Sequence, residues 1–137
     1  MPRRKRNRRI QVPPQIKGIS VYGVRGQRGN EIMLRLEEYE AIRLLDYQNL
    51  TQEEAAVYMD VSRPTLTRIY DEARKKVATA FVEGRDLKVS GGDVYFDKNW
   101  YKCRVCKASF SDYSEGKVIC PVCGAENPMA LNEYLNS

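Results

Sequence analysis

The run from Leu50 to Tyr70, LTQEEAAVYMDVSRPTLTRIY, constrains the fold more than any other stretch, because its apolar positions fit two short helices crossing at a tight turn. Thr51 precedes the first helical turn and Glu54 follows three residues later, so hydroxyl and carboxylate can satisfy orphan backbone donors as a capping box. Ala55, Ala56 and Met59 then share one face, and the alanines are small enough to let a second helix cross closely. Asp60-Val61 reads as the turn. A turn of this kind commonly holds glycine in a left-handed conformation, so Asp60 is the unusual residue. Ser62 suits the N-cap of the next helix and Pro64 its first turn. From there Leu66, Ile69, Ala73, Val77, Ala80 and Phe81 recur at spacings of three and four, which predicts one buried stripe.

Such a helix-turn-helix is a device for reading DNA. Arg63, Thr65, Thr67 and Arg68 face outward near the start of its second helix and are the predicted base contacts. Arginine donates a bidentate pair to guanine, and threonine offers a hydroxyl and a methyl. Arg74, Lys75 and Lys76, further along, suit phosphates. The plainer alternative is a helical hairpin with a solvated charged face.

The charge distribution bears on that choice. The chain of 137 residues carries a net charge of +5. Arg3, Arg4, Lys5, Arg6, Arg8 and Arg9 stand together near the N-terminus with no acid among them. The remainder has 17 basic against 18 acidic residues. The helical pair is itself balanced, so the arm is expected to supply the electrostatic pull on DNA phosphates or an A·T-rich minor groove. A solvated tail, RNA or an anionic membrane surface are the other readings of such an arm.

Elsewhere the local signals are weaker. Val12-Pro-Pro-Gln15 and Gly23, Gly26 and Gly29 are loop chemistry, with a short extended piece within 16–24. Residues 32–36 read as a strand or a helix approach, and 37–47 as a helix offering Ala41, Ile42, Leu44 and Leu45 to the pair. Gly84 suits a left-handed helix stop. Leu87 to Phe96 alternates around Gly91-Gly92, which predicts a β-hairpin or two short strands.

Cys103-x-x-Cys106 and Cys120-x-x-Cys123 account for all four cysteines, with 13 residues between the pairs. Two-residue gaps let both thiolates of a pair converge on one ion, and four thiolates make a closed tetrahedral Zn²⁺ site. Iron is the competitor, since paired loops of the Cys-Pro-x-Cys-Gly form also resemble rubredoxin. Disulfides and a thioredoxin-like pair fit less well, for want of an export signal and of a βαβ pattern. A tail this short has too little core to fold unaided, so metal is expected to supply its folding energy. Trp100, Tyr101, Phe110 and Tyr113 read as its small core, and Lys102, Arg104 and Lys107 as a basic edge.

The stretches MPRR at the start, LEEYEAIRLLD from Leu36 to Asp46, TQEEAA from Thr51, VSR from Val61 and ARKKV from Ala73 together resemble the domain of unknown function 134 family, a small prokaryotic family described as predicted DNA-binding proteins. The resemblance covers roughly residues 1 to 92, and the helical motif is similar to region four of sigma factors. It implies base contacts at Arg63, Thr65, Thr67 and Arg68. The Cys-rich tail looks like a zinc ribbon.

The expected fold is mainly α, a helix-turn-helix domain followed by a short β-hairpin and a small zinc ribbon. Residues 1–11 form a basic arm, disordered without DNA; 12–86 the helix-turn-helix domain; 87–99 a hairpin or linker; 100–137 the four-cysteine tail. The expected function is sequence-specific binding of double-stranded DNA as a cytoplasmic transcriptional regulator with one Zn²⁺ per chain. A rubredoxin-like iron redox sensor or electron carrier, and an RNA-binding factor, are the alternatives. Without histidine or a nucleophile–base arrangement, no enzyme is expected. No apolar run approaches the roughly 20 residues of a membrane span, and no small-molecule substrate is indicated. A homodimer would pair two recognition helices on neighbouring half-sites.

Overall fold

Short-range hydrogen bonding sets the helix boundaries. In the structure, a computed structural model that describes residues 8–23, 29–97 and 99–135, α1 (Leu36–Ile42) starts where the Arg35 N–H donates to Glu38 Oε1 at 2.8 Å. It runs on as a π-helical turn, Arg43–Tyr47. α2 (Gln52–Met59) opens on the expected capping box: the Glu54 N–H donates to Thr51 Oγ1, and the Thr51 N–H to Glu54 Oε1, both at 3.1 Å. α3 (Arg63–Glu83) is N-capped by Ser62 and ends at Gly84, whose φ of 66° is left-handed. Ala41 and Leu44 meet Ala55, Ala56 and Met59 of α2 and Leu66 and Ile69 of α3 in one buried cluster.

The stripe along α3 holds only in part. Leu66, Ile69, Ala73 and Ala80 are buried, but Val77 is 36% and Phe81 87% exposed. Periodicity identifies a face without saying how far along the helix a partner covers it.

The strands overturn the mainly α expectation. Among the described residues, four α-helices make 37% helix, while three small sheets contribute 20% strand, a mixed α/β architecture. β1 (Arg8–Ile10) pairs with β5 (Val94–Phe96). β4 (Leu87–Val89) lies between β2 (Gly18–Ile19), antiparallel, and β3 (Ile32–Leu34), parallel. Of the two readings of Leu87 to Phe96, the two short strands form and the hairpin does not: β4 and β5 belong to different sheets. Gly91 and Gly92 have φ of 76° and 107°, and the carbonyl of Gly91 accepts from the Leu36 N–H at 3.1 Å, which ties the turn to the start of α1. Strands of two or three residues pairing with distant segments leave almost no periodic trace.

α1 carries an unusual buried charge cluster, with Glu37, Glu38 and Glu40 all at most 1% exposed. Arg43 holds Glu40 through bonds of 2.5 and 3.0 Å, and the Gln11 N–H adds another at 2.6 Å. Lys76 of α3 reaches Glu38 at 2.7 Å. Burial raises the pKa of Glu37 above the usual carboxylate value, against the pull of Arg35 and Arg8. These internal partners also absorb part of the basic arm. Arg8 lies 3.5 Å from Glu37, and Arg9 donates to the carbonyl of Tyr58 at 2.6 Å. Arg3, Arg4, Lys5 and Arg6 lie outside the described residues.

The chain divides into two compact units, Met1–Val94 and Tyr95–Ser137. In the second, β6 (Trp100–Lys102) pairs antiparallel with both β7 (Ser109–Ser111) and β8 (Met129–Ala130), which leads into α4 (Leu131–Leu135). Its small core joins Cys103, Phe110 and Cys120 with Tyr101, Val118 and Ala125, and the rings of Tyr101 and Phe110 stack at 5.9 Å. Tyr113, expected in this core, is 74% exposed. Among the described residues, no helix is long and apolar enough to cross a membrane.

Candidate functional site

Among the described residues two arrangements could engage a ligand, one in each unit. The first is built on the turn between α2 and α3. Asp60 adopts φ 57° and ψ 46°, the left-handed conformation expected of this position. Its N–H reaches the carbonyl of Val57 at 3.2 Å and the next N–H, of Val61, that of Ala56 at 3.0 Å, closing α2 before Ser62 starts α3. The short polar side chain of aspartate makes that region more accessible than it is to most residues.

The outward residues of α3 are held at its N-terminal end. Arg63 is exposed and pairs with Glu53 of α2 at 3.1 Å. Thr67 donates to Gln52 at 2.7 Å, which engages its hydroxyl with α2. The hydroxyl of Thr65 accepts from Ser62 at 2.9 Å and from Arg68 at 3.4 Å. Arg63, Thr65, Thr67 and Arg68 are thus brought together, with Arg68 exposed at the edge of the group. Gln52 and Glu53 complete it and were missed by sequence reasoning, because only the fold shows that the N-terminus of α2 reaches this far.

The predicted phosphate contacts separate. Arg74 lies 5.3 Å over the Tyr70 ring and is exposed, as is Lys75. Lys76 instead points inward to buried Glu38. Arg9, read with the arm, donates at 2.6 and 3.4 Å to carbonyls at the end of α2, where a cation complements the helix dipole.

The second arrangement is the cysteine cluster. The four sulfurs of Cys103, Cys106, Cys120 and Cys123 lie within 4.8 Å of one another, consistent with a metal site. Cys103 and Cys123 are 3.5 Å apart, and Cys106 and Cys120 3.6 Å. A tetrahedron with metal–sulfur bonds of roughly 2.3 Å has edges of roughly 3.8 Å, so the spacing fits one ion. Both knuckles share one plan. The N–H groups of Val105 and Cys106 point to the Cys103 sulfur at 3.4 Å, and that of Val122 to Cys120 at the same distance. The turn needs a left-handed residue after each second cysteine. Gly124 (φ 77°) serves one knuckle and Lys107 (φ 66°) the other, a conformation its composition did not signal.

Backbone donors prepare the sulfurs for charge. The N–H of Cys106, with that of Val105, pulls the Cys103 thiol down to about 6, and the N–H groups of Cys123 and Val122 lower Cys120 likewise. The N–H of Ala108 also pulls on Cys106, but desolvation and the neighbouring sulfurs outweigh it and push that thiol up to about 12. A cation would relieve that crowding. Of the basic edge, Arg104 donates to the Asn127 carbonyl at 2.8 Å and Lys107 to that of Arg104 at 3.0 Å.

Residues 1–97 match the model of a family described as a protein of unknown function, DUF134. Similar proteins carry the name UPF0251 protein. That of Clostridium novyi (strain NT) is 40% identical over 134 residues, covering 97% of this chain and 91% of the relative. That of Methanothermobacter thermautotrophicus is 41% identical over 127 residues, covering 93% and 66%. That of Halothermothrix orenii is 38% identical over 131 residues, covering 92% and 97%. No solved structure matches.

Proposed function

The chain belongs to the DUF134 family, and we propose that it binds double-stranded DNA sequence-specifically, as a transcriptional regulator and not as an enzyme. The observation that carries this is the packing of α2 on α3 about the left-handed turn at Asp60, with Arg63 and Arg68 exposed at the start of α3. A helix end of this kind enters the major groove. The Arg63–Glu53 pair is solvent-exposed and so worth only about 0–1 kcal/mol. Guanine can therefore displace Glu53 at little cost, while the Glu53 carboxylate disfavours phosphate in its place.

In the tail we propose one Zn²⁺ held by Cys103, Cys106, Cys120 and Cys123. Bound there, the ion neutralises thiolates and supplies folding energy. Metal analysis of aerobically purified native protein should find zinc in colourless material; iron with visible thiolate absorption would establish the redox alternative instead.

Selection of bound sequences from a random duplex library tests the main proposal, with structured RNA as competitor at matched salt. Enrichment of a motif supports it, and preference for RNA overturns it. Arg68→Ala should then lose about 1–3 kcal/mol at the selected site and relax preference at one base pair. Equal loss on selected and random duplexes would sink the base-reading role.

A further inference from the structure

From Val77 to Val82 the exposed residues of α3 are all apolar. Phe81 and Val82 are 87% and 80% exposed and Val77 36%, and across a shallow concavity Tyr22 and Ile19 are 94% and 56% exposed. Val77 and Phe81 form a ridge between that concavity, about 380 Å³, and a second of about 240 Å³ walled by Ile42, Ala78 and Arg74. The ridge and both hollows lie within the first unit.

Area argues that this face is covered. With roughly 150–250 Å² for each nearly bare aromatic, Phe81, Tyr22 and the flanking aliphatics reach on the order of 500–600 Å². That is at the upper limit of what isolated soluble chains expose and supplies most of the roughly 800 Å² per partner of a standard interface. The layout is also self-complementary. A ridge beside a hollow on one face is what a two-fold contact requires, since each copy must offer both knob and hole. Asp46, which accepts from the Tyr70 hydroxyl at 2.6 Å, rims the smaller hollow together with Arg74, and Arg85 rims the larger one, so Asp46 and Arg85 stand on opposite sides of the Phe81 ridge.

We propose that a second copy of this chain docks here. The two α3 helices cross antiparallel near Val77 and Ala78, each Phe81 enters the other copy's smaller hollow, and Asp46 of each faces the partner's Arg85. Arg85 is tethered to the Asn30 carbonyl at 2.7 Å and stands 3.4 Å from Glu83, so its guanidinium is already oriented.

The test is the oligomeric state of the full, metal-loaded chain, measured by sedimentation equilibrium without nucleic acid. A failure of DNA binding therefore leaves its outcome unaffected. Wild type should be a dimer at tens of micromolar. Phe81→Asp, at an exposed position that leaves the helical circular dichroism unchanged, should weaken the dimer by about a hundredfold or more. Arg85→Asp should weaken it too, and adding Asp46→Arg should restore it. A monomeric wild type, as when the chain's own tail covers Phe81, overturns the proposal. So does a dimer indifferent to Phe81→Asp.

Discussion

Asp60 is where one residue decides whether the two-helix unit closes. Its φ of 57° costs most side chains about 1–2 kcal/mol, yet the bonds from Asp60 and Val61 to the last carbonyls of α2 require that conformation. The cost comes from the crowding of Cβ, so it should follow side-chain branching and not charge. Asp60→Gly should stay within about 1 kcal/mol of wild type in denaturant unfolding, the gain at Cβ offsetting glycine's extra chain entropy. Asp60→Val should lose about 1–3 kcal/mol. Equal losses from both would show that the carboxylate, and not the backbone, holds the turn. Thr51, Asp60 and Ser62 were legible in the sequence because a cap or a tight turn involves only neighbours. Arg8 and Arg9 were not, because an arginine in a basic run looks the same whether it meets solvent or a buried Glu37.

Between elements, contacts that join residues far apart in the chain decide the outcome. α3 is tied to α1 by apolar packing and by Lys76, whose ammonium lies 2.7 Å from a Glu38 that is 0% exposed. Arg35, 3.4 Å from the same carboxylate, shares the load. Lys76→Ala should therefore cost about 1–3 kcal/mol of stability, the penalty for leaving a buried acceptor underserved. It should leave the salt dependence of the proposed DNA binding nearly unchanged. A normal melting temperature with a flatter salt slope would return Lys76 to the phosphate role its place in the Arg74-Lys75-Lys76 run suggests. The same limit explains the fold class. α2 and α3 show in the sequence as helical periods, whereas β4 gains its meaning from Gly18 and Ile32, to which no local pattern points. Phe81 fits the helical period and is still exposed, because period does not reveal where α1 ends beneath α3.

For the molecule as a whole, the two units rest on different sources of stability. The first has a core of apolar side chains from three helices, whereas the second, among the described residues, buries only Phe96, Phe110 and Leu131 besides two cysteines that are themselves candidate ligands. A core so small cannot offset the entropy of ordering its strands without the metal. Chelation of the full chain should therefore produce partial unfolding. Amides of β6, β7 and β8 should lose hydrogen-exchange protection, while those of α1 to α3 keep it and the helical ellipticity falls little. Protonation works in the same direction, since the thiols must lose their protons to bind: apparent metal affinity should fall as pH drops, and the metal should be lost below the value of about 6 to which the backbone donors lower the Cys103 thiol. Metal competition shifts the loss to lower pH, so the midpoint should move with metal concentration. If chelation melted α2 and α3 together with the tail, the units would form one cooperative structure and the helix-turn-helix would itself depend on the metal. Retained helices would instead make the tail a separately folded module, removable without loss of the surface around Arg63 and Arg68.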